Sequence, residues 1–254
     1  MDIKIIIATH KQYWMPDDPM YLPVHVGAAG KESIGYQRDD EGENISSKNA
    51  NYCELTGLYW AWKNLNADYI GLAHYRRHYS NGKRFGDKKE KVINTAQMEQ
   101  KLKDTDVLLP TPRNYWIETN YSQYAHAHHA IDLDTTREIL QEKYPQYIPA
   151  WDSSMKKTTG HRFNMFIMKK NLFDQYCEWM FDVLFELEKR LDISTYNKND
   201  SRVFGFVSER LLDIWIETNG IQFKDTGYVF MENQNWFIKG VNFIKRKLGL
   251  TRTE

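Results

Sequence analysis

Four consecutive side chains, His74-Tyr75-Arg76-Arg77, follow the apolar run Asp68-Tyr69-Ile70-Gly71-Leu72-Ala73. Two adjacent arginines at the end of a buried strand suit an anion. Guanidinium groups offer forked donors that match phosphate oxygens and keep their charge at any working pH. The plainer reading is a solvated basic strand end paired with surface carboxylates. A second group, His126, His128 and His129, suggests zinc, but helical ligand pairs want i, i+3 or i, i+4 spacing and no thiol is nearby. Packing, hydrogen bonding, acceptor-hydroxyl binding or general-base work remain for these histidines, with Asp132 and Asp134 close enough in sequence to orient an imidazole. Candidate bases also include Asp132, Asp152 and Glu209. Glu209 precedes Arg210 inside an apolar helical stretch, so it is either half of an internal ion pair or a functional acid/base. Glu54, inside an aromatic-rich helix, carries the same two readings. Lys48 and Asn49 at a helix start offer donors to phosphate or sugar, or form an ordinary polar cap.

The elements that must position these groups alternate. Ile3 to Ala8 reads as a strand buried on both faces, ending in Thr9-His10-Lys11. Residues 12–45 read as irregular. A helix is expected from Ser46 or Ser47 through Asn64, then a strand at Asp68–Ala73. A glycine- and lysine-rich loop follows at 80–91, then a helix at Thr95–Lys103 and a strand at Asp106–Pro110. Further helices are expected at Tyr121–Ala130, Asp134–Lys143, Asn171–Arg190 and Val203–Thr218. Phe163–Met168 reads as a strand, Asp192–Arg202 as a polar loop and Ile221–Phe230 as extended chain. Alternating helix and short apolar strand argues for an α/β fold with a mainly parallel sheet. No repeat or linker divides the chain.

Composition narrows the class. The 254 residues are 41% hydrophobic and 27% charged, as in a globular protein. Lys+Arg 34 balances Asp+Glu 34, so no whole-protein basic field favours nucleic acid. Two cysteines, Cys53 and Cys177, exclude a disulfide framework and suit a cytoplasmic setting. The N-terminal run is too short for a signal peptide, and no window is apolar enough to span a membrane. There is no P-loop, no Gly-x-Gly-x-x-Gly after Ile7 and no Gly-x-Ser-x-Gly. Aromatic residues are abundant at 14%; they suit stacking on nucleobases and on the C–H faces of sugars.

The first strand and the Asp68–Ala73 strand are similar to the nucleotide-sugar domain of GT-A glycosyltransferases. Most of those place an Asp-x-Asp pair, which holds a divalent metal, where this chain has His74-Tyr75-Arg76-Arg77. A longer set of segments resembles a bacterial domain-of-unknown-function family. The segments are Asn44–Asn64, His74–Arg77, His126–His129, Gly160–Lys169 and Ser208–Leu212. That family is encoded in capsule, exopolysaccharide and lipopolysaccharide loci and regarded as glycosyltransferases, with galactofuranosyltransferase assignments among its members. The resemblance covers residues 1 to about 235 and implies a GT-A-like domain there. It implies transfer of a hexose, galactofuranose among the options, from a UDP-sugar to a lipid-linked or growing surface polysaccharide. Thr9, His10 and Lys11 then meet the nucleobase and ribose. Lys48, Asn49, His74, Tyr75, Arg76 and Arg77 take the nucleotide and diphosphate. His126, His129, His161 and Arg162 fall on the acceptor or sugar side, and Glu209, Asp132 or His128 supplies catalysis. With no Asp-x-Asp pair, Arg76 and Arg77 are expected to stabilise the leaving diphosphate without a metal or other cofactor.

The tail, 236–254, is expected to form a basic amphipathic helix. Phe237, Val241, Ile244 and Leu248 share one face, which suits a peripheral anchor on the inner face of the cell membrane. The alternative is a helix that closes the core. Two rival functions are a non-catalytic nucleotide-sugar or glycan-binding protein on the same fold, and a metal-dependent hydrolase or phosphotransferase using the histidines.

Overall fold

A computed structural model describes residues 1–233 of the protein. The expected tail helix at 236–254 and the boundary at 235 lie outside the described residues. In chain order the elements are β1 (Ile3–Thr9), β2 (Tyr21–His25), β3 (Gln37–Arg38), α1 (Asn49–Tyr52), α2 (Leu55–Asn64), β4 (Tyr69–His74) and β5 (Arg77–Tyr79). Next come α3 (Thr95–Leu102), β6 (Val107–Pro110), β7 (Arg113–Asn114), α4 (Asn120–Ala127), α5 (Ala130–Lys143) and α6 (Ile148–Lys156). The series closes with β8 (Thr159–Gly160), β9 (Phe166–Lys169), α7 (Lys170–Arg190), α8 (Val203–Thr218), β10 (Lys224–Thr226) and β11 (Tyr228–Phe230).

The main sheet runs in the order β10-β6-β9-β4-β1-β2-β3, with β5 and β11 branching from the end of β4. Pairing is parallel for β1 with β2 and β4, β2 with β3, and β6 with β10. Strand β9 runs antiparallel between β4 and β6. The mainly parallel α/β expectation therefore holds, with one reversed strand in the middle. Ile5, Ile6 and Ile7 are fully buried because helices and loops cover both faces of β1. On one face α2, α7 and α8 pack a large apolar core that includes the predicted α7 stripe Tyr176, Met180, Val183, Leu184 and Leu187. A second core, around Tyr21, Tyr79 and Met98, fills the other face.

Several segments differ from the sequence reading: α6 fills a stretch with no expected element, and the strand expected at Phe163–Met168 begins only at Phe166. Residues 12–45 contain β2 and β3, hidden by their prolines and glycines. Pro23 is tolerated because β3 pairs only with Val24 and His25, so β2 has no β3 partner at the proline. The helix expected from Ser46 to Asn64 is broken. A 3₁₀ turn and α1 end at Cys53, whose backbone is left-handed (φ 52°), and α2 starts afresh at Leu55. The Asn49 side chain bridges the break by donating to the Cys53 carbonyl (2.7 Å) and the Thr56 hydroxyl (3.1 Å).

Close packing also fixes Gly71 in β4. A Cβ there would lie 2.7 Å from Ile167 Cγ1 and 2.8 Å from the Phe166 carbonyl oxygen. Gly71→Ala should therefore destabilise the fold by about 1–3 kcal/mol, as overpacked cores do. The urea unfolding midpoint should fall with an unchanged slope.

Candidate active site

Parallel strands place ligands beyond their carboxyl ends. Here the ends of β1 and β4, the α1–α2 break and the loop after α7 enclose a cleft of about 690 Å³. Thr9 and His10 come from the end of β1, Asn49, Cys53 and Glu54 from the break, and His74, Tyr75 and Arg76 from the end of β4. Lys198 and Arg202 close it from the loop. The Thr9 hydroxyl donates to the Lys11 carbonyl at 2.7 Å and so fixes the exit from β1. His10 meets the edge of the Tyr75 ring with centroids 5.3 Å apart. Burial, followed by the charges of Lys11 and Arg76, lowers the His10 pKa. The cleft is thus cationic, with a neutral imidazole beside its fixed charges.

The two arginines are separated by a tight reversal, since β4 and β5 pair His74 with Arg77. Arg76 turns into the cleft, its Nη1 3.3 Å from an exposed Glu232 carboxylate. Arg77 lies on the sheet with its guanidinium 3.5 Å from the Phe163 ring centroid and 4.9 Å from that of Phe230. Burial lowers its pKa to about 10, opposed first by the charge of Glu209. Its buried Nε has no hydrogen-bond partner. Stacking on an aromatic face stabilises a desolvated cation by about 2 kcal/mol, less than a hydrogen-bonded anion would supply.

Backbone strain gathers at the same place. Of the four described non-glycine residues with left-handed backbone, three are Cys53, Phe163 and Asn164 (φ 52°, 76° and 55°). Such residues persist only where their surroundings hold them. His74 Nε2 donates to the Phe163 carbonyl at 2.6 Å, because a carbonyl oxygen can only accept. The Asn164 amide donates to Glu54 Oε1 (2.7 Å) and to the Gly205 carbonyl (3.1 Å), and its oxygen accepts from Ser208 Oγ (2.9 Å). Burial raises the Glu54 pKa against the opposing Asn164 bond and the positive field of Arg202 and Arg77. Arg202 Nε in turn lies 3.1 Å from Cys53 Sγ. Glu209 is partly buried with Oε2 3.1 Å from Arg210 Nη1.

The remaining candidates fall elsewhere. Asp132 is buried, with its two oxygens accepting from Tyr124 (2.8 Å) and Tyr196 (2.6 Å). His128 Nδ1 and His129 Nε2 both face Asp200, at 2.9 and 3.4 Å, while their rings stack on Phe206 and Tyr196. His126 pairs with the buried Glu118 at 2.5 Å. The three histidines therefore point to two different carboxylates. Among the described residues no group of three His, Cys, Asp or Glu side chains is arranged to hold a metal ion. Lys48 reaches Glu188 on α7 at 2.6 Å, and Asp152 is paired with Arg137. Arg162 is a buried strut that donates to the carbonyls of His161 (2.7 Å) and Glu209 (3.0 Å) and to Asn120 (2.5 Å). His161 bridges Asp213 (2.5 Å) and Asp225 (3.0 Å) beside a separate cleft of about 440 Å³. Burial lowers its pKa, but the two carboxylates outweigh that and leave it raised. Lys198 and Arg202 are cleft residues that sequence reasoning passed over, whereas Glu54, expected as either half of an ion pair or a functional acid/base, is brought into the cleft wall. The reversal at Cys53 that turns Glu54 toward the cleft has no signature in residue type, whereas Lys198 and Arg202 were visible as basic residues in a polar loop.

A mainly parallel sheet with one reversed strand and a cationic cleft at its carboxyl edge defines a glycosyltransferase-type fold. It matches the apo structure of the WbbM bifunctional glycosyltransferase with a TM-score of 0.84 and 32% sequence identity. The match covers 92% of this chain and 46% of the WbbM chain, so this chain spans less than half of that protein. Residues 4–220 match the family described as Domain of unknown function (DUF4422), and the chain belongs to that family. Comparison with curated protein sequences returned no match.

Burial lowers the His74 pKa from 6.5 to about 4, with Arg77 adding to the effect. The unfolded chain therefore binds the extra proton first as pH falls from 6.5 toward 4, and stability must drop across that window. His74→Asn, which keeps a donor for the Phe163 carbonyl, should flatten this part of the pH dependence of the urea midpoint. An unchanged slope would mean that His74 is not buried in its neutral form.

Proposed function

We propose that the protein is a glycosyltransferase that moves a hexose from a UDP-sugar to a hydroxyl of a lipid-linked or growing surface polysaccharide. Galactofuranose is the sugar the family resemblance favours. The observation that carries this reading is the pair Arg76 and Arg77 at the end of β4. One lines the cleft, and the other holds a buried Nε without a partner. Breaking the bond between the anomeric carbon and the β-phosphate oxygen leaves negative charge on the diphosphate. The Arg76 guanidinium in the cleft, with the buried charge of Arg77 behind it, stabilises that charge without reorganising.

GT-A enzymes commonly recruit a divalent cation at this strand end. The residues here do not fit one, because arginines occupy the position of the acidic pair and would repel it. The reaction is therefore proposed to run without a metal. The base that takes the proton of the acceptor hydroxyl is assigned to Glu54, which lines the cleft and whose raised pKa suits proton uptake. Glu209, whose charge is the main one opposing the lowered pKa of Arg77, is read as support for that arginine. Asp132 and His128 lie outside the cleft lining. Thr9, His10, Lys11 and Asn49 are assigned to the nucleoside, and Lys198 and Arg202 to the phosphates. The protein is placed on the inner face of the cell membrane, where a lipid-linked acceptor resides.

Thermal-shift measurements with a panel of nucleotide sugars, UDP-galactofuranose and UDP-galactopyranose first, should show stabilisation by UDP-sugars that excess chelator does not remove. Sugar transfer should also continue in chelator, fall roughly 10²–10³-fold in Arg77→Ala, and fall by about 10² or more in Glu54→Gln with donor binding retained. Loss of transfer in chelator with rescue by manganese would overturn the metal-free reading. Binding of UDP with neither transfer nor hydrolysis would favour a non-catalytic binding protein instead.

A further inference from the structure

The fourth described non-glycine residue with left-handed backbone is Trp116, at φ 60°. It sits in the loop between β7 and α4, where its amide donates to Asn114 Oδ1 (2.7 Å) and the Ile117 amide to the Tyr115 carbonyl (2.6 Å). The turn is thus tied down on both sides of the strained residue. Strain of this kind usually accompanies burial of the side chain or its use in a site. Here Trp116 is 81% exposed and the adjacent Ile117 57% exposed, so neither gains from the core. Large apolar side chains are common on surfaces singly, but an indole and a branched aliphatic side by side on a rigid turn mark a contact surface.

The surroundings say what that contact is with. Strand β7 pairs with β8, the Tyr115 amide donates to the Thr158 carbonyl, and the Asn120 amide donates to the Lys157 carbonyl. These bonds lay the loop along the end of α6, where the exposed Lys156 and Lys157 lie, next to the exposed Arg113 of β7. Glu118, the acid within the loop, is buried against His126, and Lys157 makes only an exposed pair with Glu217. The loop therefore offers an exposed tryptophan and isoleucine with three exposed basic residues on the segments bonded to it. Tryptophan prefers the membrane–water boundary, and lysine and arginine complement anionic headgroups. A neutral acceptor glycan would use the indole but offers nothing for the isoleucine or for three cations, and an acidic one still leaves the isoleucine without a partner.

We propose that the Trp116–Ile117 loop, with Arg113, Lys156 and Lys157, is a membrane-docking element that inserts into an anionic bilayer surface. It is separate in sequence from the tail at 236–254 and does not depend on the donor chemistry of the cleft. The test places an environment-sensitive NBD fluorophore on an Ile117→Cys variant of the full chain, with the unsubstituted chain treated identically to set the background. Vesicles of phosphatidylglycerol and phosphatidylcholine should blue-shift and strengthen the emission, and pure phosphatidylcholine vesicles should do so at least fivefold less. Adding Arg113→Glu and Lys156→Glu should shift the titration midpoint at least threefold to higher lipid. Flotation with vesicles while the emission stays unchanged would assign binding to another surface and overturn the proposal. Unchanged emission without flotation would also overturn it, as would a response to soluble acceptor oligosaccharide and none to vesicles.

Discussion

The arrangement of the site depends on where a desolvated positive charge can be tolerated. Arg77 leaves the end of β4 through a two-residue reversal and comes to rest between the rings of Phe163 and Phe230. Aromatic faces offset part of the cost of removing a guanidinium from water but do not satisfy its N–H groups. Its field falls on the Glu54 carboxylate and on His74, which burial keeps neutral. Remove the cation, and Glu54 would lose part of what opposes its protonation. The groups at this end of the sheet therefore form one electrostatic unit.

The fold is built to hold that unit in place. Strands β1 and β4 bring Thr9 and His74 to the same edge, and the reversed strand β9 brings Phe163 and Asn164 up beside them. Left-handed backbone at Cys53, Phe163 and Asn164 accompanies two bonds: the Asn164 amide meets Glu54, and the Phe163 carbonyl meets His74. Ser208 and Gly205 on α8 complete the network, so the helix that carries Glu209 also fixes the asparagine that holds Glu54. Arg162 ties the Glu209 backbone to Asn120 from behind. Arg162 and His74, expected from sequence as ligand contacts, make internal hydrogen bonds that brace this network.

Much of this was legible in the residues. The isoleucine run of β1, the apolar run ending in His74-Tyr75-Arg76-Arg77 and the stripe on α7 each carry a period that sequence shows directly. Strand β2 was not legible, because Pro23 argues against a strand unless the open side of the register is known. The break at Cys53 was hidden too, since nothing in Tyr52-Cys53-Glu54 demands a left-handed residue. That break matters most for function: it converts Glu54 from one acid in a helix into a wall of the cleft. For the histidine cluster, spacing argued against a shared metal but could not reveal that Glu118 would pair with His126 and Asp200 with His128 and His129.

The central claim is that the cationic end of β4 recognises a diphosphate. Isothermal titration of uridine, UMP and UDP into the wild-type protein and Arg77→Ala, all in chelator, tests it most directly. The account predicts that affinity in the wild-type protein rises steeply from uridine to UDP, and that Arg77→Ala loses most of this rise while binding uridine as before. A preference for UDP that survives Arg77→Ala intact would contradict it.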